Sequence, residues 1–268
     1  GQSLVEAIAG ADTILSAVSM KGVIPVVELI KPLGLSSQTI IVTATKGLDP
    51  STTCTPAQIW QAAFPSHPVV VLAGPNLSKE IEQGLPAATV VASNDAEAAK
   101  VVQARLNSTR FRVYTNPDPL GVELGGTLKN VIAIAAGTCD GLQLGTNAKA
   151  ALVTRGLAEI IRIGTHWGAK ADTFYGLSGL GDLLATCNSP LSRNYQVGYQ
   201  LAQGKQLPEV LAALQGTAEG VNTTQVLMEL ANQQGISVPI SYQVYRLLQG
   251  EVTPQAAVDA LMLRDVKP

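Results

Sequence analysis

A single lysine, Lys129, stands inside the apolar run Gly121–Gly137, where Leu124, Leu128, Val131, Ile132 and Ala135 recur at helical spacing. On its face lie Gly125, Gly126, Ala133 and Ala136, small residues that leave room for another group to approach the ammonium. Glycine inside a helix costs roughly 1 kcal/mol relative to alanine, so an adjacent pair calls for a reason. Two readings stand: close helix packing with the lysine snorkelling outward, or a desolvated lysine beside a ligand, tuned for proton transfer. Asp182 and Thr186 are spaced to share one helix face within the glycine-rich stretch Gly176–Cys187. Ser192 is a natural N-cap that sets Arg193 and Asn194 in the first turn of the next helix. Backbone amides, helix dipole and guanidinium would converge there on an anion, most naturally a phosphate; the plainer alternative is a capped surface helix with a solvated arginine.

These groups need elements to carry them. Apolar, β-branched runs at Asp12–Ser19, Thr39–Thr45, Val69–Ala73, Ala87–Ala92 and Phe111–Tyr114 read as strands. Helices are expected over Val23–Ile30, Thr55–Ala63 and Ala96–Leu106, and the alternation implies a parallel, doubly wound sheet. Two strand ends carry polar signals. Thr45-Lys46-Gly47 puts a lysine at the carboxyl end of a strand, where open α/β sheets bind ligands, unless Lys46 is a solvated loop residue. Gly74-Pro75-Asn76-Leu77-Ser78 follows another strand; it is an ordinary turn, or one whose glycine lets backbone approach a ligand. After Asn116-Pro117-Asp118-Pro119 the runs become long and helical, which divides the chain into residues 1–119 and 120–268.

Composition narrows the function classes. With 268 residues, 46% hydrophobic and 14% charged, the chain can bury a sizeable core and is not a disordered segment. A net charge of −2 without a basic block argues against nucleic acid as a partner. No apolar run approaches membrane-spanning length and no secretory signal is visible. Cys54, Cys139 and Cys187 are odd in number and far apart, so neither a disulfide framework nor a metal site is expected, and a reducing cytoplasm fits. A lysine for proton transfer, a second lysine, an aspartate–threonine pair and a phosphate-ready helix end together suit a small phosphorylated alcohol or ketone.

Seven segments carry a resemblance. Ala44–Gly47, Ala73-Gly74-Pro75 with Lys79-Glu80, Phe111–Asp118, Gly125–Ile134, Thr154–Leu157, Gly179–Leu183 and Ser192–Asn194 resemble, in this order, the bacterial and plastid NAD(P)-dependent glycerol-3-phosphate dehydrogenases. The likeness runs from about residue 10 to about residue 260. It implies an N-terminally incomplete Rossmann-like parallel sheet followed by an all-helical substrate domain. It implies an oxidoreductase interconverting sn-glycerol 3-phosphate and dihydroxyacetone phosphate, supplying the former for phospholipid synthesis as a cytoplasmic homodimer. Carried over, the resemblance makes Lys129 the proton acceptor, with Lys46 touching substrate and cofactor and helping depress the pKa of Lys129, and with Asp182 orienting Lys129. The substrate set is then Lys46, Gly74, Asn76, Lys129, Asp182, Thr186, Ser192, Arg193 and Asn194, the last three on the phosphate. NAD(P) would be met by Lys46, Ser78, Arg193, Thr217 and Glu219.

The chain departs from the family in two places. Asn76 stands where members usually carry Ser or Thr, though its amide still donates and accepts hydrogen bonds. No Gly-x-Gly-x-x-Gly turn precedes the Asp12 strand, so the chain reads as a fragment or a shortened homologue with an incomplete cofactor site. Two other readings stand beside the first. One is another hydroxyacid dehydrogenase with a helical C-terminal domain, for which a phosphate hook would be needless; the other is a truncated relative that binds a phosphometabolite or partner without turnover.

Overall fold

The structure is a computed structural model that describes residues 3–214 and 216–263. A short helix α1 (Leu4–Ile8) precedes strand β1 (Thr13–Ser16), helix α2 (Met20–Ile30), β2 (Ile40–Thr43), α3 (Pro56–Ala63) and β3 (Val69–Ala73). Helix α4 (Ser78–Glu82), β4 (Ala87–Ala92), α5 (Ala96–Leu106) and β5 (Phe111–Asn116) complete a five-stranded sheet in chain order, β1-β2-β3-β4-β5. The central runs Ile40–Thr43 and Val69–Ala73 are β-branched and buried almost throughout, as strands covered on both faces must be. Helix starts follow local chemistry. Thr55 closes a capping box on α3 with Gln58, and the Asp95 carboxylate accepts the Glu97 and Ala98 N–H groups to begin α5.

The sheet is not wholly parallel, which corrects the sequence expectation. β1–β2, β2–β3 and β4–β5 are parallel, but β3 and β4 run antiparallel, with Ala73 opposite Val90. The link between them holds only a turn and the five-residue α4. A parallel pairing needs a crossover along the full strand length, commonly a longer helix, so this short link turns the chain back at the same edge. β1 is also shorter than the run Asp12–Ser19, because the chain leaves the sheet after Ser16 to begin α2 just after Ser19.

Asp118 and Pro119 start the long helix α6 (Pro119–Gly141): the Asp118 carboxylate accepts the Gly121 N–H, and proline at the first position loses no helical bond. Around it pack α7 (Gly145–His166), a 3₁₀ turn (Ala171–Tyr175), a π-helical turn (Leu177–Gly181), α8 (Asp182–Cys187) and α9 (Arg193–Ala202). The short α10 (Leu207–Ala213), then α11 (Glu219–Gln234), α12 (Pro239–Leu248) and α13 (Pro254–Met262) close the helical half. α6 is buried along nearly its whole length, with Leu124, Leu128, Val131, Ile132 and Ile134 in one core with α7, α8, α9, α11 and α12. A second contact, Val122 against Val71, Ala73, Val90 and Ala92, sets the N-terminal end of α6 on the sheet. One rigid, buried helix therefore spans from the strand ends to the middle of the helical core.

The candidate active site

At the carboxyl ends of β1 and β2 a cavity of about 850 Å³ opens between the sheet and the helical half. Ala17–Ser19, Thr45, Lys46, Asn76 and Ser78 line its sheet side, and Lys129, Asn130, Thr186, Ser192, Arg193, Asn194, Thr217 and Glu219 its helical side. Lys46, Lys79, Lys129 and Arg193 face Glu219 across it, an excess of positive charge that suits an anionic ligand.

Lys129 leaves α6 into a buried cluster. Its ammonium reaches Asp182 Oδ1 at 2.7 Å and donates to the Thr186 hydroxyl, which in turn donates to Asp182 Oδ1 at 3.3 Å. Lys46 takes the other carboxylate oxygen, Oδ2, at 2.5 Å and the Gly74 carbonyl at 3.3 Å. Asp182 and Thr186 share a face of α8, and that face turns toward α6. Burial above all, and then the Lys46 ammonium, pull the Lys129 pKa down to about 8 against the opposing pull of Asp182. Lysine normally titrates two to three units higher, so Lys129 can exchange a proton near neutral pH.

Across the cavity Ser192 N-caps α9 and accepts the Tyr195 N–H at 3.3 Å, which leaves its own proton free to donate. The Asn194 carbonyl accepts the Gly220 N–H at 2.9 Å, so its amide hydrogens are the uncommitted part. Arg193 is exposed and makes no hydrogen bond or ion pair among the described residues. Hydroxyl, guanidinium, amide and the first amides of a ten-residue helix are thus gathered as donors at one end of the cavity. Glu219, first in α11, accepts the Met20 N–H at 3.1 Å, while its second oxygen is buried without a partner among the described residues. Burial holds the Glu219 carboxyl above its usual range, against the Met20 N–H, Arg193 and Lys21.

Several expectations change here. The glycine pair of α6 leaves no space for a ligand. A Cβ on Gly125 would lie 2.7 Å from the Ser178 carbonyl oxygen, and one on Gly126 would touch Ala73 and the Lys46 chain at 3.4 Å. The room is filled by the π-helical turn and by the second lysine, so the pair exists for close packing, and packing delivers Lys46. Asp182, 2% exposed, does not line the cavity; it lies behind both lysines, and Gly74 contributes its carbonyl from behind the wall as well. Gly74 has φ +157° and backs onto Thr89, so its role is a tight fit against β4. Asn76 does line the cavity, with its Nδ2 donating to Thr89 Oγ1 at 2.9 Å and its Oδ1 unpartnered among the described residues. Ser78, Thr217 and Glu219 sit on the same cavity. The sequence reading missed Asn130, which lines the cavity beside Lys129. The signal was present, since Asn130 stands directly beside Lys129 in a largely apolar helix.

Comparison with known proteins agrees along the chain. Residues 1–99 match the family profile described as NAD-dependent glycerol-3-phosphate dehydrogenase N-terminus, and residues 118–259 the one described as its C-terminus. A glycerol-3-phosphate dehydrogenase [NAD(P)+] of Nostoc sp. is 72% identical over all of this chain and 87% of its own length. One of Synechocystis sp. is 65% identical over 99% of this chain and 84% of its own. The crystal structure of glycerol-3-phosphate dehydrogenase from Coxiella burnetii superposes with TM-score 0.93 at 38% identity, covering 98% of this chain and 80% of that one. A ketopantoate reductase from Ralstonia eutropha reaches only TM-score 0.55 at 13% identity, a likeness of fold alone.

Proposed function

Because the chain belongs to the family of NAD-dependent glycerol-3-phosphate dehydrogenases, we propose that it interconverts sn-glycerol 3-phosphate and dihydroxyacetone phosphate, with NAD(P) as hydride carrier. The observation that carries the reading is the cluster in which one buried carboxylate, Asp182, takes Lys129 on one oxygen and Lys46 on the other, opposite the Ser192–Arg193–Asn194 donors. In the oxidation Lys129 accepts the proton of the substrate hydroxyl. Its two bonds, to Asp182 and Thr186, occupy both N–H groups of the neutral amine. The lone pair is left for the cavity that Lys129 lines. In the reduction the ammonium returns that proton to the carbonyl oxygen. Lys46, partly exposed, puts its positive charge at the oxygen whose charge changes, and Asp182 keeps both amines in register. Ser192, Arg193 and Asn194 hold the phosphate, and Asn76 closes the pocket on the sheet side.

The cofactor side of the cavity fits a dinucleotide. The unpartnered Glu219 oxygen is a buried acceptor in need of a donor, which a hydroxyl or carboxamide group can supply. Lys46, Ser78, Arg193, Thr217 and Glu219 would hold NAD(P) there, and the bound nicotinamide would take or give the hydride. The division into a nucleotide-binding part, 1–119, and a helical substrate part, 120–268, belongs to the same reading.

We further propose a cytoplasmic homodimer that supplies glycerol 3-phosphate for phospholipid synthesis. No described helix is long and apolar enough to cross a membrane, and the cysteines are free, as in a reducing compartment. An apolar cleft of about 600 Å³ between α7, α12 and α13, edged by Leu152, Val258 and Leu261, supports association of two copies, which light scattering would test. The activity is tested by following NAD(P)H formation from sn-glycerol 3-phosphate and its consumption with dihydroxyacetone phosphate. Turnover with glycerol equal to that with the phosphate, or with neither, would overturn the reading.

A further inference from the structure

Thr127 stands one residue after the glycine pair and two before Lys129 on α6, and it is fully buried. Its side-chain oxygen does not serve its own helix. It accepts the buried N–H of Gly47, the residue directly after Lys46, at 3.1 Å. On the other side of Lys46, Thr45 donates its hydroxyl to the Val18 carbonyl at 2.8 Å. The backbone of Lys46 is therefore tied at both flanks, once to the link between β1 and α2 and once to α6. Gly47 has φ +146°, and a Cβ there would press on the Met20 side chain at 3.2 Å, so the loop has little space to yield. Beyond this tie, the aliphatic stem of Lys46 passes over Gly126 and ends on Asp182.

We propose that Thr127 is a positioning residue for Lys46: its hydroxyl holds the loop from which the Lys46 ammonium reaches Asp182. One turn of α6 then sets both lysines, Lys129 by carrying it and Lys46 by gripping its loop. Their separation is built into a rigid helix and does not depend on the sheet and helical half keeping register by themselves. The inference rests on the proposed roles of Lys46 and Lys129. A threonine that only filled space would be replaced without loss by valine, which has the same shape. Valine cannot accept the Gly47 N–H, and a buried N–H without an acceptor pulls the loop elsewhere to find one.

The test compares Thr127→Val with Thr127→Ser. Two readouts are needed: the pH profile of kcat/KM for sn-glycerol 3-phosphate, and the Lys129 titration seen by ¹³C NMR of labelled lysine, assigned with Lys129→Arg. The groups around Lys129 are Lys46, Asp182, Thr186 and the buried Cys187 thiol, and only Lys46 is anchored through Thr127. If Lys46 retracts, Lys129 loses a repelling charge and its pKa rises, by about a unit. Thr127→Val should therefore lower kcat/KM roughly tenfold near neutral pH and move its acid limb upward, the scale of one lost buried hydrogen bond. Thr127→Ser, which keeps the oxygen, should restore most of both. An unmoved limb and titration in Thr127→Val, or an equal shift in Thr127→Ser, would overturn the proposal. If Thr127→Val does not fold, Thr127→Ala takes its place against the same serine control. A wild-type protein without glycerol 3-phosphate turnover would sink the proposed function instead, and the NMR titration would still decide this inference.

Discussion

Asp182 and Glu159 are both 2% exposed, both in the helical half, and the molecule satisfies them by opposite means. Glu159, on α7, sits at the start of α12 and accepts the N–H groups of Ile240 and Ser241 and the Ser241 hydroxyl, all within 2.6–2.9 Å. Burial raises its pKa and these donors hold it down. Asp182 instead takes two ammonium groups and one hydroxyl. Amide donors cannot give up their protons, so the Glu159 junction has a single charge state on the donor side and does nothing but join two helices. An ammonium can. Around Asp182, burial that would be a pure cost becomes a means of lowering the pKa of a neighbour. The same price of desolvation yields a joint in one place and a proton exchanger in the other.

The largest way to break this comparison is Lys129→Ala. It should lower kcat by ~10²-fold or more, the usual scale of general acid–base catalysis. Near-normal kcat in the purified variant would remove Lys129 from the mechanism. Arg193→Ala comes next. It should raise KM for sn-glycerol 3-phosphate by an amount worth roughly 1.5–3 kcal/mol, far more than for glycerol. An equal effect on both alcohols would make Arg193 a structural residue.

Glu159→Ala sharpens the other side. Removing the acceptor from the start of α12 should cost about 1–2 kcal/mol of stability, read by denaturant unfolding, with kcat and KM unchanged. A fall in kcat without lost stability would show that the two carboxylates do not differ as described. The smallest effect is one of pH. Lys129 must be neutral to accept a proton, so kcat/KM for the oxidation should rise through about pH 8 and level above it. Reduction of dihydroxyacetone phosphate needs the ammonium and should weaken over the same range. A profile whose limb lies near that of free lysine, at about 10.4, would show that burial is not acting on Lys129.

Much of this is legible in the sequence alone. The helix of Lys129 announces itself because apolar residues recur with its period, and the turn residues Asn116-Pro117-Asp118-Pro119 mark where the long helical runs begin. Ser192 was readable as an N-cap for the same reason: the cap bonds a residue three positions on, so the whole interaction lies within one short stretch. Where the signal was local, it was found. Thr127 carries no such signal, because nothing within a few residues distinguishes a helical threonine that packs from one that grips a loop eighty residues away.

The strands themselves and the presence of a second, helical half were thus determined by periodicity and turn chemistry, which act over neighbouring residues. The antiparallel β3–β4 pair was decided by the reach of a short link, and its consequence depends on a neighbour strand that local pattern does not name. Likewise the glycine pair of α6 could have served a ligand or a protein surface, and only the approach of the Ser178 carbonyl and the Lys46 stem made it the latter. The depressed pKa of Lys129 was decided at the same level. Charge and burial act through space, and Lys46, Lys129 and Asp182 become one electrostatic unit only when the sheet end, α6 and α8 meet.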